Sequence, residues 1–104
     1  MSELELVAIE DLDLLDGADL RAVLDQVPAD QVVAALVGTT PWLRHHLLLK
    51  LPAASATRLE AQIDARGPVS PESLRAAQRA VIETLCRLSR AGQVAFDHPA
   101  DMVA

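Results

Sequence analysis

A chain of 104 residues with a net charge of −6 is one small domain or a piece of a longer protein. Apolar residues make up 51% of it and aromatics only 2%, so Leu, Val, Ile and Ala must build the core, a composition that favours helix over strand. The acidity argues against nucleic acid and anionic lipid as partners, and no apolar run approaches the ~20 residues of a membrane span. The acidic N-terminus does not read as a signal or transit peptide. The single cysteine, Cys86, has no internal disulfide partner and suits a reducing cytoplasm. Nine of the fifteen acids fall within residues 1–30, against Arg21 alone. That acidic half reads first as a solvated face with acids at helix N-termini.

Residues 1–5 read as a frayed end. Ile9–Leu15 predicts a short helix with Ile9, Leu12 and Leu15 on its inner side, broken at Asp16-Gly17. Asp16 or Gly17 then caps a helix over about Ala18–Gln26, in which Leu20, Val23, Leu24 and Val27 are apolar. Pro28 interrupts, and a third helix over Val32–Val37 begins at Asp30 or just before it and ends at Gly38. Thr40 and Pro41 are an N-cap and a first helical residue for a fourth helix, Pro41–Leu51. With Trp42, Leu43, Leu47, Leu48 and Leu49 around most of its circumference, that helix is expected to be the central, most buried one.

Pro52 separates it from a fifth helix, where Ala56, Leu59 and Ile63 share one face. Arg66 sits in its last turn, Gly67 closes it in a left-handed conformation, and Pro68 prevents resumption. Ser70 and Pro71 then start the longest helix, about Pro71–Ala91, with Gly92 as its stop. Leu74, Ala77, Val81, Leu85 and Leu88 form its buried seam. Arg75, Arg79, Glu83 and Arg87 form a solvent stripe with Arg79–Glu83 and Glu83–Arg87 pairs. Val94 and Phe96 pack back on the bundle, and residues 97–104 read as a loose tail. The expected fold is all-α: a compact domain of about six short helices, the last one longest, rather than an up-down bundle.

The residues offer little chemistry. His45 and His46 are adjacent on a helix and point about 100° apart, with no further ligand at metal-binding spacing, so they read as two polar positions, one of them part-buried. Cys86 reads as a small core residue. The four glycines are isolated helix stops, not a phosphate loop. No catalytic residue, metal site or cofactor is expected, and a helical domain without a convergent polar site reads as an interaction module rather than an enzyme.

Five pieces nevertheless occur in a telling order: Glu10–Asp16 (E-D-L-D-L-L-D), Ala35–Gly38 (A-L-V-G), Arg66–Val69 (R-G-P-V), Ala76–Gln78 (A-A-Q) and Leu88–Gly92 (L-x-R-x-G). Their order and ungapped spacing over 6–104 resemble the C-terminal domain family of the bacterial flagellar motor switch protein FliG. The resemblance implies a helical domain over 6–96 that serves as a rotor module of the switch complex, or C-ring, in motility and chemotaxis. It implies contact with the cytoplasmic loop of a MotA-like stator protein, for torque and rotation switching, and with other switch-complex proteins. It also implies a cytoplasmic location, peripheral to the inner membrane at the flagellar basal body. The helix before G-P-V corresponds to the family's torque helix, whose charges here are Arg58, Glu60, Asp64 and Arg66, the last matching a family arginine. Elsewhere the family's charges are replaced. Val37 stands for a lysine, Ala54 for an arginine, Ala61 and Gln62 for two adjacent aspartates, and Ser70 for an arginine. The family's M-F-x-F hinge corresponds to Leu6-Val7-Ala8-Ile9.

Two other readings fit such a sequence. One keeps the fold as a scaffold or adaptor without torque. The other is a divalent-cation-sensing regulatory domain, motivated by the acids Asp11, Asp13, Asp16 and Asp19.

Overall fold

Capping residues decide where most of the helices begin in the computed structural model, which describes residues 8–95. A 3-10 helix runs over Ile9–Leu14, followed by α1 (Gly17–Asp25), α2 (Ala29–Val37), α3 (Pro41–Leu49), α4 (Ala53–Arg66) and α5 (Pro71–Arg90). No strand occurs among the described residues. The readings of 1–5 as a frayed end, of Phe96 as packed and of 97–104 as a tail lie outside the described residues.

Each predicted cap is made. Asp16 Oδ1 accepts from the Asp19 N–H at 2.8 Å, Thr40 Oγ1 from the Leu43 N–H at 3.2 Å and Ser70 Oγ from the Ser73 N–H at 3.2 Å. Each satisfies one of the donors that a helix N-terminus leaves without an intrahelical partner. Pro41 and Pro71 occupy the first turns of α3 and α5, where a missing N–H is no loss.

The core forms around α2, which packs on α5 along one side and on α4 along another. Val32, Val33, Ala34, Ala35 and Leu36 are all buried, and Gln78 of α5 donates from Nε2 to the Ala35 carbonyl at 3.2 Å. This corrects the expectation that α3 is the most buried helix. Leu43, Leu47 and Leu48 of α3 are buried, but Trp42 is 62% and Leu49 69% exposed. The physical reason is position and width. α3 lies at the edge against the 3-10 helix and α4, and a nine-residue helix with leucines on most sides cannot bury them all from one flank. The small residues of α2 let two helices approach it closely.

The seam of α5 is as expected, with Ala77, Val81, Leu85 and Leu88 buried and Cys86 beside them at 5% exposed. Leu12, Leu15, Leu20, Val23, Leu43 and Leu47 complete the fully enclosed centre. On the outer face of α5 the Arg79–Glu83 pair forms at 3.6 Å, while the expected Glu83–Arg87 pair is not among the ion pairs of the described residues. Past α5, Gly92 turns the chain at φ +74°. Val94 is buried, and the Ala95 N–H donates to Asp19 Oδ2 at 3.1 Å.

One tie has no local sequence signal. Lys50, just past α3, donates from Nζ to the carbonyls of Asp13 and, at 2.8 Å, Leu15. The same nitrogen lies 3.3 Å from Asp13 Oδ1, an ion pair outside hydrogen-bond geometry, since that oxygen has no hydrogen-bond partner. Gly17 makes room for this clasp, because a Cβ there would collide with the Lys50 carbonyl oxygen.

Candidate functional site: the outer faces of α4

α4 is the least embedded long helix. Ile63 is its one buried residue, with Ala56 and Leu59 half-buried beside it. A single inward row at i, i+3/i+4, i+7 leaves most of the circumference open to solvent. The end of α4 is fixed by backbone rather than by packing. Gly67 has φ +71° and ψ −162°. The positive φ agrees with the sequence reading. The ψ does not, because it lies outside the left-handed helical well, in the extended region that only glycine enters readily. The chain therefore leaves α4 sharply extended through Pro68 and Val69 until Ser70 caps α5. The R-G-P-V turn thus sets the angle between the exposed helix and the longest one.

The structure divides the four predicted contact residues between two faces. A rotation of about 100° per residue puts Arg58, Gln62 and Arg66 in one row and Glu60 and Asp64 in another. Arg58 and Gln62 border a groove of about 460 Å³ against α1 and α2, whose floor includes Leu24 and Leu59. Gln62 and Arg66 continue that row along α2 beside Asp30 and Val33. Glu60 and Asp64 border a separate groove of about 330 Å³ against α3. Between the rows Ala54 and Ala61, both exposed, form the outermost ridge, and Ala65 borders the α2 side with Gln62 and Arg66. Among the described residues no ion pair or hydrogen bond engages Arg58, Glu60, Asp64 or Arg66.

This pattern differs from the rest of the surface. α1 and α5 place opposite charges at i, i+4, pairing Arg21 with Asp25 at 3.8 Å and Arg79 with Glu83. α4 instead places Glu60 and Asp64, two like charges, at i, i+4, which disfavours the helix by roughly 0.2–0.5 kcal/mol. Arg66, in the last turn, faces the negative end of the helix dipole, and none of the four charges of α4 forms an ion pair among the described residues.

The positions where the resemblance expects other charges are distributed differently. Ala54, Ala61 and Gln62 are exposed on α4, Val37 is half-buried at the end of α2, and Ser70 is spent as the α5 cap. The acids behind the cation-sensing reading are dispersed into structural bonds. Asp11 accepts from the Ala8 N–H at 2.9 Å, Asp16 caps α1, Asp13 faces Lys50 and Asp19 holds Ala95. Among the described residues no cluster of three or more His, Cys, Asp or Glu could hold a metal ion. His45 is exposed, and His46, half-buried, stacks on Trp42 with ring centroids 4.1 Å apart. No described helix is long and apolar enough to cross a membrane.

The model of the FliG C-terminal domain matches residues 3–96. The chain is 26% identical over 89 residues to the flagellar motor switch protein FliG of Thermotoga maritima, an alignment that takes in 86% of this chain and 27% of that protein. It superposes on a crystal structure of FliG residues 116–343 from H. pylori with a TM-score of 0.78 and 23% identity, covering 88% of this chain and 40% of that one. A second crystal structure, of FliG residues 86–343 from H. pylori, gives a TM-score of 0.75 and 24% identity, covering 85% and 42%. At such identities the superpositions establish the fold, and the chain spans about a quarter, 27%, of the length of the curated relative.

Proposed function

The chain belongs to the FliG C-terminal domain family, and on that premise we propose that it is a rotor domain of the flagellar motor switch, a protein-interaction module without a catalytic site. Its place is the cytoplasmic side of the flagellar basal body, and its partner there is the cytoplasmic loop of a MotA-like stator protein, with other switch-complex proteins behind it. The observation that carries this reading is the unpaired state of the α4 charges on a helix whose one buried residue is Ile63. Charge contacts across an exposed interface favour orientation and encounter rate over affinity. Each is worth only ~0.2–1 kcal/mol, which suits a contact that forms and releases repeatedly.

The test is binding of the intact chain to a stator loop fragment at low and high salt, with the reversals Arg58→Glu, Glu60→Arg and Asp64→Arg. Binding that weakens with salt and with each reversal supports the reading. Binding indifferent to all three removes α4 from the contact, and no binding at all rejects the stator as partner. One observation favours the scaffold reading as a second possibility. Alanine occupies the outer ridge at positions 54 and 61, where the resemblance places family charges.

A further inference from the structure

The described residues leave three large apolar side chains in solvent: Leu14 at 72%, Trp42 at 62% and Leu49 at 69% exposure. Scattered singly they would need no explanation, but two of them share one face of α3. A step of about 100° per residue puts Trp42, His46 and Leu49 in one row, on the side away from the buried Leu43, Leu47 and Leu48. Leu14 sits near the Leu49 end, because Lys50, next in the chain, clasps the carbonyls on either side of Leu14. The row is ordered in advance. The Trp42 ring lies on His46 with centroids 4.1 Å apart, so little freedom of that side chain remains to be lost on binding. The row carries no carboxylate, lysine or arginine, and no Asp or Glu occurs between Asp30 and Glu60 in a chain of net charge −6.

We propose that this outer row of α3 is a contact between two copies of the chain, paired antiparallel about a two-fold axis. The row complements itself in that arrangement. Trp42 stands three residues before His45 and Leu49 three after His46, so an axis level with the two histidines sets Trp42 of each copy against Leu49 of the other. The bulkiest side chain meets a smaller one at both ends, and one patch serves both copies. A parallel copy would set ring against ring at one end and leave the other end narrow. Antiparallel pairing also sets the positive end of each helix dipole beside the negative end of the other. The row offers no carboxylate to a basic partner and no lysine or arginine to an acidic one, whereas two acidic chains can meet where neither carries an acid. Area sets the strength. A patch of this kind exposes roughly 300–600 Å², against about 800 Å² per partner in a stable dimer. The pair is therefore weak, with a dissociation constant on the order of 0.1–1 mM. The contact lies apart from the Arg58 and Arg66 row of α4, and it does not depend on the stator as partner.

The experiment uses the whole chain. Sedimentation equilibrium between about 10 μM and 2 mM, which spans that constant, is expected to show monomer passing to dimer and stopping there. Trp42→Gln and Leu49→Gln, both at exposed positions, are each expected to weaken pairing about tenfold, with helicity by circular dichroism unchanged. The geometry is read in a mixed sample. One copy is labelled with nitrogen-15, and the other is spin-labelled at Ala53→Cys, Cys86 being buried. Ala53 is exposed just past the Leu49 end of α3, so the label is expected to broaden the indole N–H resonance of Trp42, the one tryptophan, in the other copy.

A chain that stays monomeric at millimolar concentration overturns the proposal, and so does pairing that survives both glutamine variants. Pairing without broadening of the Trp42 resonance overturns the antiparallel arrangement, and growth beyond two copies overturns the two-fold axis. A monomeric chain whose Trp42 resonance shifts with the stator loop fragment gives the face to that partner and overturns the second copy.

Discussion

Replacing Gly67 by alanine tests whether the turn after α4 is held by backbone strain. The residue sits at φ +71° and ψ −162°, and nothing lies within 4 Å of where a Cβ would be. Steric collision with neighbours therefore contributes nothing, and the whole effect comes from the backbone. Holding a non-glycine residue in that region costs about 1–3 kcal/mol. The smaller conformational freedom of alanine in the unfolded chain returns ~0.4–1 kcal/mol. The expected net loss is about 1–2 kcal/mol, which lowers Tm by roughly 4–16 °C in a domain of this size. D-alanine, introduced by semisynthesis, reverses the sign. Its mirror-image preferences make this conformation ordinary extended backbone, so only the unfolded-state term remains, a gain of ~0.4–1 kcal/mol. Thermal unfolding followed by circular dichroism reads both variants. Equal melting temperatures for the L and D variants would show that backbone strain does not hold this turn, and so would an L-alanine variant as stable as the parent.

Three further variants probe the frame that presents α4. Ser70→Ala removes the cap on the Ser73 N–H and is expected to cost ~1 kcal/mol, read by urea unfolding with an unchanged m-value. Lys50→Met removes the clasp on the Asp13 and Leu15 carbonyls and should cost about 1.5–3 kcal/mol, as for hydrogen bonds to charged groups. Hydrogen exchange should place that loss in the 3-10 helix and the end of α3. Leu85→Ala empties a fully enclosed position and should cost about 2–5 kcal/mol in the same urea assay.

Much of this fold is written in punctuation. Asp16, Thr40 and Ser70 make the caps their positions predict, and Pro41 and Pro71 sit in first turns, because a cap is a contact over three residues and needs no tertiary context. The identity of the central helix is different. α2 and α3 are both short and apolar, and periodicity says only that each has something to bury. Which one two other helices can flank depends on side-chain size and on the path of the chain. The valines and alanines of α2 allow that approach, and α3, with Trp42 and Leu49 outward, does not receive it.

The site was half legible. The exposure of α4 follows from the single row of Ala56, Leu59 and Ile63. The separation of Arg58 and Arg66 from Glu60 and Asp64 follows from the same helical step, and the like charges at i, i+4 were its signal in the sequence. The burial of Arg44 Nε was not legible, because it arises only where α3 meets α4. The same holds for Lys50, whose acceptors lie 35 and 37 residues away.

As proposed, this domain turns the motor through the charges of α4. Rotation of tethered cells tests it most directly, in a strain lacking the gene and supplied with either the parent chain or the Arg58→Glu, Glu60→Arg and Asp64→Arg triple variant. The parent chain is expected to restore rotation, and cells with the triple variant, present at the same level, are expected to rotate slowly or not at all. A strain without the gene that still swims and switches as before would contradict it.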